Sequence, residues 1–200
     1  MKNILVLVSG GGTNLQKLID AQDSGILRSG RIALVVSSKP GVYALERASR
    51  AGIPAKVLPR QALGLAAFED WLLTLIAEYK IDFIVLAGFL TILSAGFVKQ
   101  FPRRIINVHP ALLPAFGGKG FYGLRVHEAA LARGVKLSGA TIHFVNEVCD
   151  GGEIIAQKAV PVLPGDTPES LQLRIMEEAE WVLLPEAVEA VCQGTVGSEQ

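Results

Sequence analysis

The sequence predicts an α/β fold built on a mostly parallel sheet, and three observations carry that prediction. Short continuous apolar runs recur along the chain, segments of helical periodicity alternate with them, and glycine, proline or small polar residues mark the joints. Apolar runs of this kind fit strands buried on both faces, which is what helices covering both sides of a parallel sheet produce. With 200 residues, half of them apolar, the chain can bury one full core and is short for two ordinary domains. The expected organisation is one domain over residues 1–193 followed by a loose tail over 194–200.

Taken in order, Ile4 to Val8 is a buried strand that ends in Ser9-Gly10-Gly11-Gly12-Thr13-Asn14. Leu15, Leu18 and Ile19 then recur at helical spacing, so the opening unit is strand, glycine loop, helix. Ile32 to Val36 repeats the strand pattern, and Val42 to Ala51 reads as a helix stopped by Gly52-Ile53-Pro54. A short strand follows at Lys56 to Leu58. From Ala66 to Tyr79, residues Phe68, Trp71, Leu72, Leu75, Ile76 and Tyr79 form one apolar stripe of a helix that packs on the sheet. Phe83 to Val98 spans only sixteen residues and contains Gly88, Thr91, Ser94 and Gly96, so it reads as a strand, a turn and a short helix, not as a membrane span.

Arg104 to Val108 is the next buried strand. A glycine-rich loop at Phe116 to Gly123, a short helix near His127 to Ala132, and strands near Ser138 to Phe144 and Glu153 to Val160 come after it. Asp166-Thr167-Pro168 supplies a cap and a first-turn proline for a terminal helix carrying Leu171, Ile175, Ala179 and Val182. Strand and helix alternate through the first half, which demands right-handed crossovers and a Rossmann-like sheet with helices on both faces. Antiparallel strands are expected near the C-terminus.

Charge narrows the classes of partner. Nineteen basic residues balance nineteen acidic ones, so no overall positive field exists to hold a nucleic-acid backbone or an anionic membrane. Small-molecule partners are expected, without nucleic acid or membrane. Cys149 and Cys192 lie far apart and the first residues carry no secretory cleavage pattern, which reads as a reducing, cytoplasmic setting.

Two constellations carry chemistry. Glycines at the carboxyl end of a first strand let bare backbone approach a ligand, and the positive end of the next helix attracts an anion. A phosphate is the natural guest of Gly11, Gly12, Thr13 and Asn14. A dinucleotide fingerprint would need a third glycine where Leu15 stands and an acidic residue after the second strand, which instead ends Ser37-Ser38-Lys39. Lys39 is suited to a phosphorylated dinucleotide, so an oxidoreductase is the second reading of this loop. Without any ligand the same residues would make a tight turn.

The second constellation begins in Arg104-Ile105-Ile106-Asn107-Val108-His109-Pro110. A period of two puts Asn107 and His109 on one face at the strand's carboxyl edge, where parallel sheets bind ligands. An amide and an imidazole beside Ile105, Ile106 and Val108 are costly to bury unless paired or used. Thr141 and His143 share a strand face opposite Ile142 and Phe144, and His143 reads as a structural histidine that orients its neighbours. Asp150 stands before Gly151-Gly152, a pattern that forms a turn when alone and a site in the company of Asn107 and His109. No close two-ligand module accompanies the three histidines, so no metal is expected. Nothing marks Cys149 as a lowered-pKa thiol.

In these motifs the sequence resembles the phosphoribosylglycinamide formyltransferases, folate-dependent enzymes of purine synthesis. The resemblance covers nearly the whole chain. It rests on Ser9 to Asn14, on Ala87-Gly88-Phe89-Leu90-Thr91-Ile92-Leu93, on Asn107-Val108-His109-Pro110-Ala111-Leu112-Leu113-Pro114, and on Thr141 to Phe144 followed by Asp150-Gly151-Gly152. In that order the motifs are highly specific.

The resemblance implies formyl transfer from 10-formyltetrahydrofolate to the amine of glycinamide ribonucleotide, with no metal and no covalent intermediate. Asn107, His109 and Asp150 match the family's catalytic trio, with Asn107 and a protonated His109 as donors to the oxyanion and Asp150 supporting the histidine's charge. Gly11 to Asn14, Val108 and Pro110 match its ribonucleotide side. Phe89, Leu90, Thr91, Ile92 and Leu93, with Val145, Asn146, Val148, Cys149 and Asp150, match its folate pocket, and Thr141 and His143 its supporting residues.

A monomer or homodimer is implied. Members that act on initiator tRNA carry an extra RNA-binding domain, and a hydrolase that discards the formyl group carries a regulatory one. The chain also departs from the pattern. Ala115 to Leu124 is a few residues longer than in common members, Thr91 and Leu65 stand where arginines are frequent, and Glu178-Ala179-Glu180-Trp181 replaces a Glu-His pattern with a one-residue shift. Glu180 is the expected ribose contact.

Overall fold

In the computed structural model, which describes residues 1–196, helices cover both faces of one seven-stranded sheet. In chain order the elements are β1 (Lys2–Val8), α1 (Thr13–Ser24), β2 (Gly30–Ser37), α2 (Tyr43–Arg50), β3 (Ala55–Val57), α3 (Arg60–Leu63), α4 (Leu65–Glu78) and β4 (Phe83–Leu86). They continue with α5 (Ala95–Val98), β5 (Ile105–His109), α6 (Leu124–Arg133), β6 (Leu137–Phe144), β7 (Ile154–Pro161), α7 (Pro168–Ile175), a π-helical turn (Met176–Glu180) and α8 (Trp181–Gln193). The strand order is β3-β2-β1-β4-β5-β6-β7. The pairings from β3 to β5 are all parallel, while β6 runs antiparallel to β5 and β7 antiparallel to β6.

The expected sheet, parallel first and antiparallel last, is the one that forms. Its central strand shows why the apolar runs read as two-sided strands. Ile4, Val6 and Val8 of β1 pack with Leu15 and Leu18 of α1 and with Leu184 and Val188 of α8. Leu5 and Leu7, pointing the other way, pack with Phe68, Leu72 and Leu75 of α4 and Phe97 of α5. All five β1 residues are wholly buried, and each such side chain contributes on the order of 2 kcal/mol through its removal from water. Among the described residues, no helix is long and apolar enough to cross a membrane.

Two expectations are corrected by packing. Trp71 is 53% exposed, because it lies on the flank of the α4 stripe, about 60° from Phe68 around the helix axis. Val182 does not continue the terminal stripe of Leu171, Ile175 and Ala179. The π-helical turn adds a residue to one turn and shifts the phase of everything after it, so Val182 is 39% exposed and Leu184 is fully buried. The stretch expected as a tail from 194 opens on a helix cap. Gly194 takes a left-handed conformation at the end of α8 and the Thr195 N–H bonds to the Ala190 carbonyl. Residues 197–200 of that tail lie outside the described residues.

The chain leaves β1 towards β2 and β3, then returns to place β4 on the other side of β1. That reversal opens a crevice at the carboxyl ends of β1 and β4, where open α/β sheets hold ligands.

Candidate active site

A cavity of about 750 Å³ occupies this crevice, within the range that holds a small organic ligand. Its walls come from the loop after β1, the segment Phe89–Leu93 after β4, the end of β5, the glycine-rich loop before α6, the loop after β6, and the helical face of Gln172, Met176 and Glu180.

The loop after β1 is shaped by one close approach. Gly12 has φ of 72°, and a Cβ placed on it would sit 2.6 Å from the Ala44 Cβ of α2. A side chain there is excluded twice, by backbone conformation and by contact. Gly12→Ala is therefore expected to destabilise the fold by about 1–2 kcal/mol from the left-handed conformation alone. Thermal unfolding checks this, and an unchanged melting temperature would remove the constraint.

Gly12 is also the N-cap of α1 and offers no side chain to the helix's first N–H groups, which leaves them for a ligand. Asn14, 8% exposed, donates from Nδ2 to Glu180 Oε2 at 2.8 Å, while its Oδ1 is buried without a partner. Burial pushes the Glu180 carboxyl up, and the Asn14 bond opposes that shift.

Glu180 reaches the cavity because of the π-helical turn. In an unbroken α-helix, Glu180 would lie about 80° around the axis from Gln172. The extra residue reduces that offset to about 20°, and both side chains line the cavity.

At the end of β5, the period of two brings Asn107 and His109 to the same wall, as the sequence predicts. The register of β6 sets His143 opposite Asn107 and Thr141 opposite His109. His143 donates from Nδ1 to the Phe144 carbonyl at 2.9 Å, so its Nε2 is left to accept from Asn107 Nδ2 at 3.0 Å. That bond fixes which way the Asn107 amide faces.

His109 is 4% exposed, and its Nε2 donates to the Phe116 carbonyl at 2.8 Å. Its Nδ1 lies 3.6 Å from Asp150 Oδ2, and His143 Nε2 lies 3.6 Å from Asp150 Oδ1. The Gly118 N–H donates to Asp150 Oδ2 at 2.8 Å. The glycine-rich loop thus holds the histidine with a carbonyl and the aspartate with an amide. Thr141 stays off the cavity wall, donating to the Ala111 carbonyl and accepting from the Leu113 N–H, and so secures the turn after β5.

Burial lowers the pKa of His109, and the nearby Asp150 charge only partly offsets it. Desolvation thus opposes the positive charge on His109 that the carboxylate at 3.6 Å favours. Asp150 behaves oppositely. Burial works to raise its carboxyl, but the Gly118 N–H donating to Oδ2 works against that, and the net direction is down.

Gly152 explains the glycines after Asp150. Its Cβ would fall 1.7 Å from the Phe144 carbonyl oxygen, so close passage over β6 is what requires glycine here, more than loop flexibility.

The expected folate-side residues Phe89, Leu90, Thr91, Ile92, Leu93, Val145, Asn146 and Cys149 all line the cavity, as do Val108 and Pro110. Val148 does not. It is 65% exposed and packs on Gly151, with its N–H held by Asn146 Oδ1. Sequence reasoning missed the Phe116 carbonyl, the Gly118 N–H and the wall residues Gln172 and Met176. Backbone groups leave no signature in residue identity, and Gln172 and Met176 could have been found only by knowing the helix phase.

The formyl transferase family model matches residues 2–188. The chain belongs to the formyl transferase family. It is 44% identical to the chloroplastic phosphoribosylglycinamide formyltransferase of Arabidopsis thaliana over 96% of its own length and 66% of that protein's, just under two thirds of the latter. To the phosphoribosylglycinamide formyltransferase of Haemophilus influenzae it is 38% identical, covering 97% of this chain and 89% of that one. The crystal structure of glycinamide ribonucleotide transformylase 1 from Symbiobacterium toebii superposes with a TM-score of 0.90 at 42% identity, covering 97% of this chain and 89% of that chain. This formyl transferase thus shares its fold with proteins so named, and the cavity described above is its candidate active site.

Proposed function

We propose that this formyl transferase moves a formyl group from 10-formyltetrahydrofolate to the amine of glycinamide ribonucleotide, a step of purine synthesis. One observation carries the reading: Asn107, His109 and Asp150 line the same cavity as the anion-ready loop of Gly11 and Gly12. A phosphorylated acceptor bound at that loop reaches towards the trio, with Glu180 beside Asn14 placed to take its ribose hydroxyls.

The donor side of the cavity suits a flat heteroaromatic ring. Leu90 and Ile92 are 55% and 59% exposed along that wall, and Phe89–Leu93 belongs to no helix or strand. Among the described residues, the Leu90 N–H alone in that segment has a partner, Ser9 Oγ at 3.0 Å, so the other backbone groups are available to ring-edge nitrogens and oxygens.

Attack of an amine on a formyl carbon places negative charge on the formyl oxygen, and preorganised donors stabilise it. The Asn107 amide is one, held in orientation by His143. His109 rests unprotonated, takes up the proton that the attacking nitrogen sheds, and becomes a second, charged donor. The Asp150 carboxylate, 3.6 Å from Nδ1, stabilises that charge. The proton then passes to the leaving folate nitrogen, so the carbon–nitrogen bond breaks without a free amide anion.

The test is acceptor dependence. Purified protein is expected to consume 10-formyltetrahydrofolate only when glycinamide ribonucleotide is present. Formate release without that acceptor would replace the reading with a hydrolase, and no consumption under either condition would end it.

A further inference from the structure

The loop of Gly10, Gly11 and Gly12 is also held by hydrogen bonds from outside it. Two of its carbonyls are tied to α2, which lies behind it. The Ala44 N–H, in the first turn of α2, donates to the Gly10 carbonyl at 3.3 Å. The Arg47 Nε–H, one turn later, donates to the Gly11 carbonyl at 2.9 Å.

Arg47 is itself fixed. Its Nη1 donates to Gln16 Oε1 of α1 at 2.9 Å, and its guanidinium lies 4.8 Å from the centre of the Tyr43 ring. One side chain therefore links the backing helix, the glycine loop and the helix that the loop starts.

These bonds decide where the opposite ends of the peptides point. In a planar trans peptide, the carbonyl and the following N–H face opposite ways. With the Gly10 and Gly11 carbonyls drawn towards α2, the Gly11 and Gly12 N–H groups face away from it, and both residues line the cavity. Neither N–H donates to an acceptor among the described residues. Reversing the Gly11–Gly12 peptide would turn a carbonyl dipole on the ligand, and glycines on both sides put little steric barrier in the way. Arg47 opposes that reversal.

We infer that Arg47 is a positioning residue for the anion loop: it holds the Gly11 carbonyl outward so that the Gly12 N–H faces the acceptor's phosphate, and it does so without touching the ligand. The inference rests on the phosphate assignment made above. A glutamine side chain places its amide nitrogen where arginine has Nε, so Arg47→Gln keeps a donor for Gly11 and discards the charge. Arg47→Met keeps the stem out to the position of Nε and discards both.

The experiment titrates inorganic phosphate into the full chain and each variant while following the Gly11 and Gly12 amide resonances, and measures KM and kcat in parallel. Arg47→Met is expected to weaken phosphate binding and raise the KM for glycinamide ribonucleotide by about tenfold, the scale of one lost hydrogen bond. The KM for folate and kcat at saturation should stay close to wild type, and Arg47→Gln should recover most of the phosphate affinity. Wild-type affinity in Arg47→Met overturns the inference, and so does equal impairment of both variants, which would assign the effect to charge. Should Arg47→Met fail to fold, Arg47→Leu takes its place beside Arg47→Gln and is read in the same way. A wild-type chain that shifts Gly11 and Gly12 with phosphate yet transfers no formyl group defeats the functional reading and leaves this one standing.

Discussion

Alanine at His109 is expected to lower turnover by about a hundredfold to ten-thousandfold, the range of a lost general acid–base group. Alanine at Asn107 should cost about a hundredfold to a thousandfold, the range for one oxyanion donor. The larger figure belongs to the histidine because in the proposed mechanism it both accepts a proton and becomes a charged donor, whereas Asn107 only donates. Neither substitution should unfold the chain. His109 and Asn107 sit at the carboxyl end of β5 and on the cavity wall, while Ile105 and Ile106, fully buried, carry the strand's packing. Asn107→Ala also removes the partner of His143 Nε2, which water from the cavity can replace. Steady-state rates with thermal unfolding as a control check both, and near-normal turnover in either variant would remove that residue from the mechanism.

Asp150→Asn carries the second large effect, about a hundredfold in turnover, because an amide cannot stabilise the imidazolium or share its proton. It also makes a prediction of sign. Burial lowers the pKa of His109 and Asp150 raises it, with burial the larger. If catalysis begins from the unprotonated imidazole, activity falls as pH drops through the histidine's pKa, and this acid limb lies below the usual histidine range. Removing the Asp150 charge removes the raising contribution, so the limb in Asp150→Asn should move to still lower pH. A pH profile of kcat/KM on both proteins gives the answer. A shift upward would mean that Asp150 does not act on His109 through its charge.

Much of this site was legible in the sequence because it lies on regular elements. The period of two along β5 puts Asn107 and His109 on one wall whatever the rest of the chain does, and β1 could only be buried on both faces given its five consecutive apolar residues. What was not legible depends on phase or on backbone. The π-helical turn at Met176–Glu180 inserts a residue with no compositional mark, so Val182 was assigned to the core that Leu184 occupies. The same turn delivers Glu180 to the cavity, where the family resemblance expected it and helical periodicity alone would not. Phe116 and Gly118 hold His109 and Asp150 through a carbonyl and an amide, which any residue supplies. Val148 follows Asn146 in a loop whose internal bond turns it outward, a geometry that neither spacing nor hydropathy encodes.

The central claim is that an anion loop and the Asn107, His109 and Asp150 trio serve one ligand pair. A crystal structure with glycinamide ribonucleotide and a non-transferring formyl-folate analogue tests it most directly. The phosphate is expected on the Gly11 and Gly12 N–H groups, with the carbonyl oxygen of the analogue within hydrogen-bonding distance of the Asn107 amide and His109. A phosphate bound elsewhere, or a carbonyl out of reach of both side chains, would contradict the account.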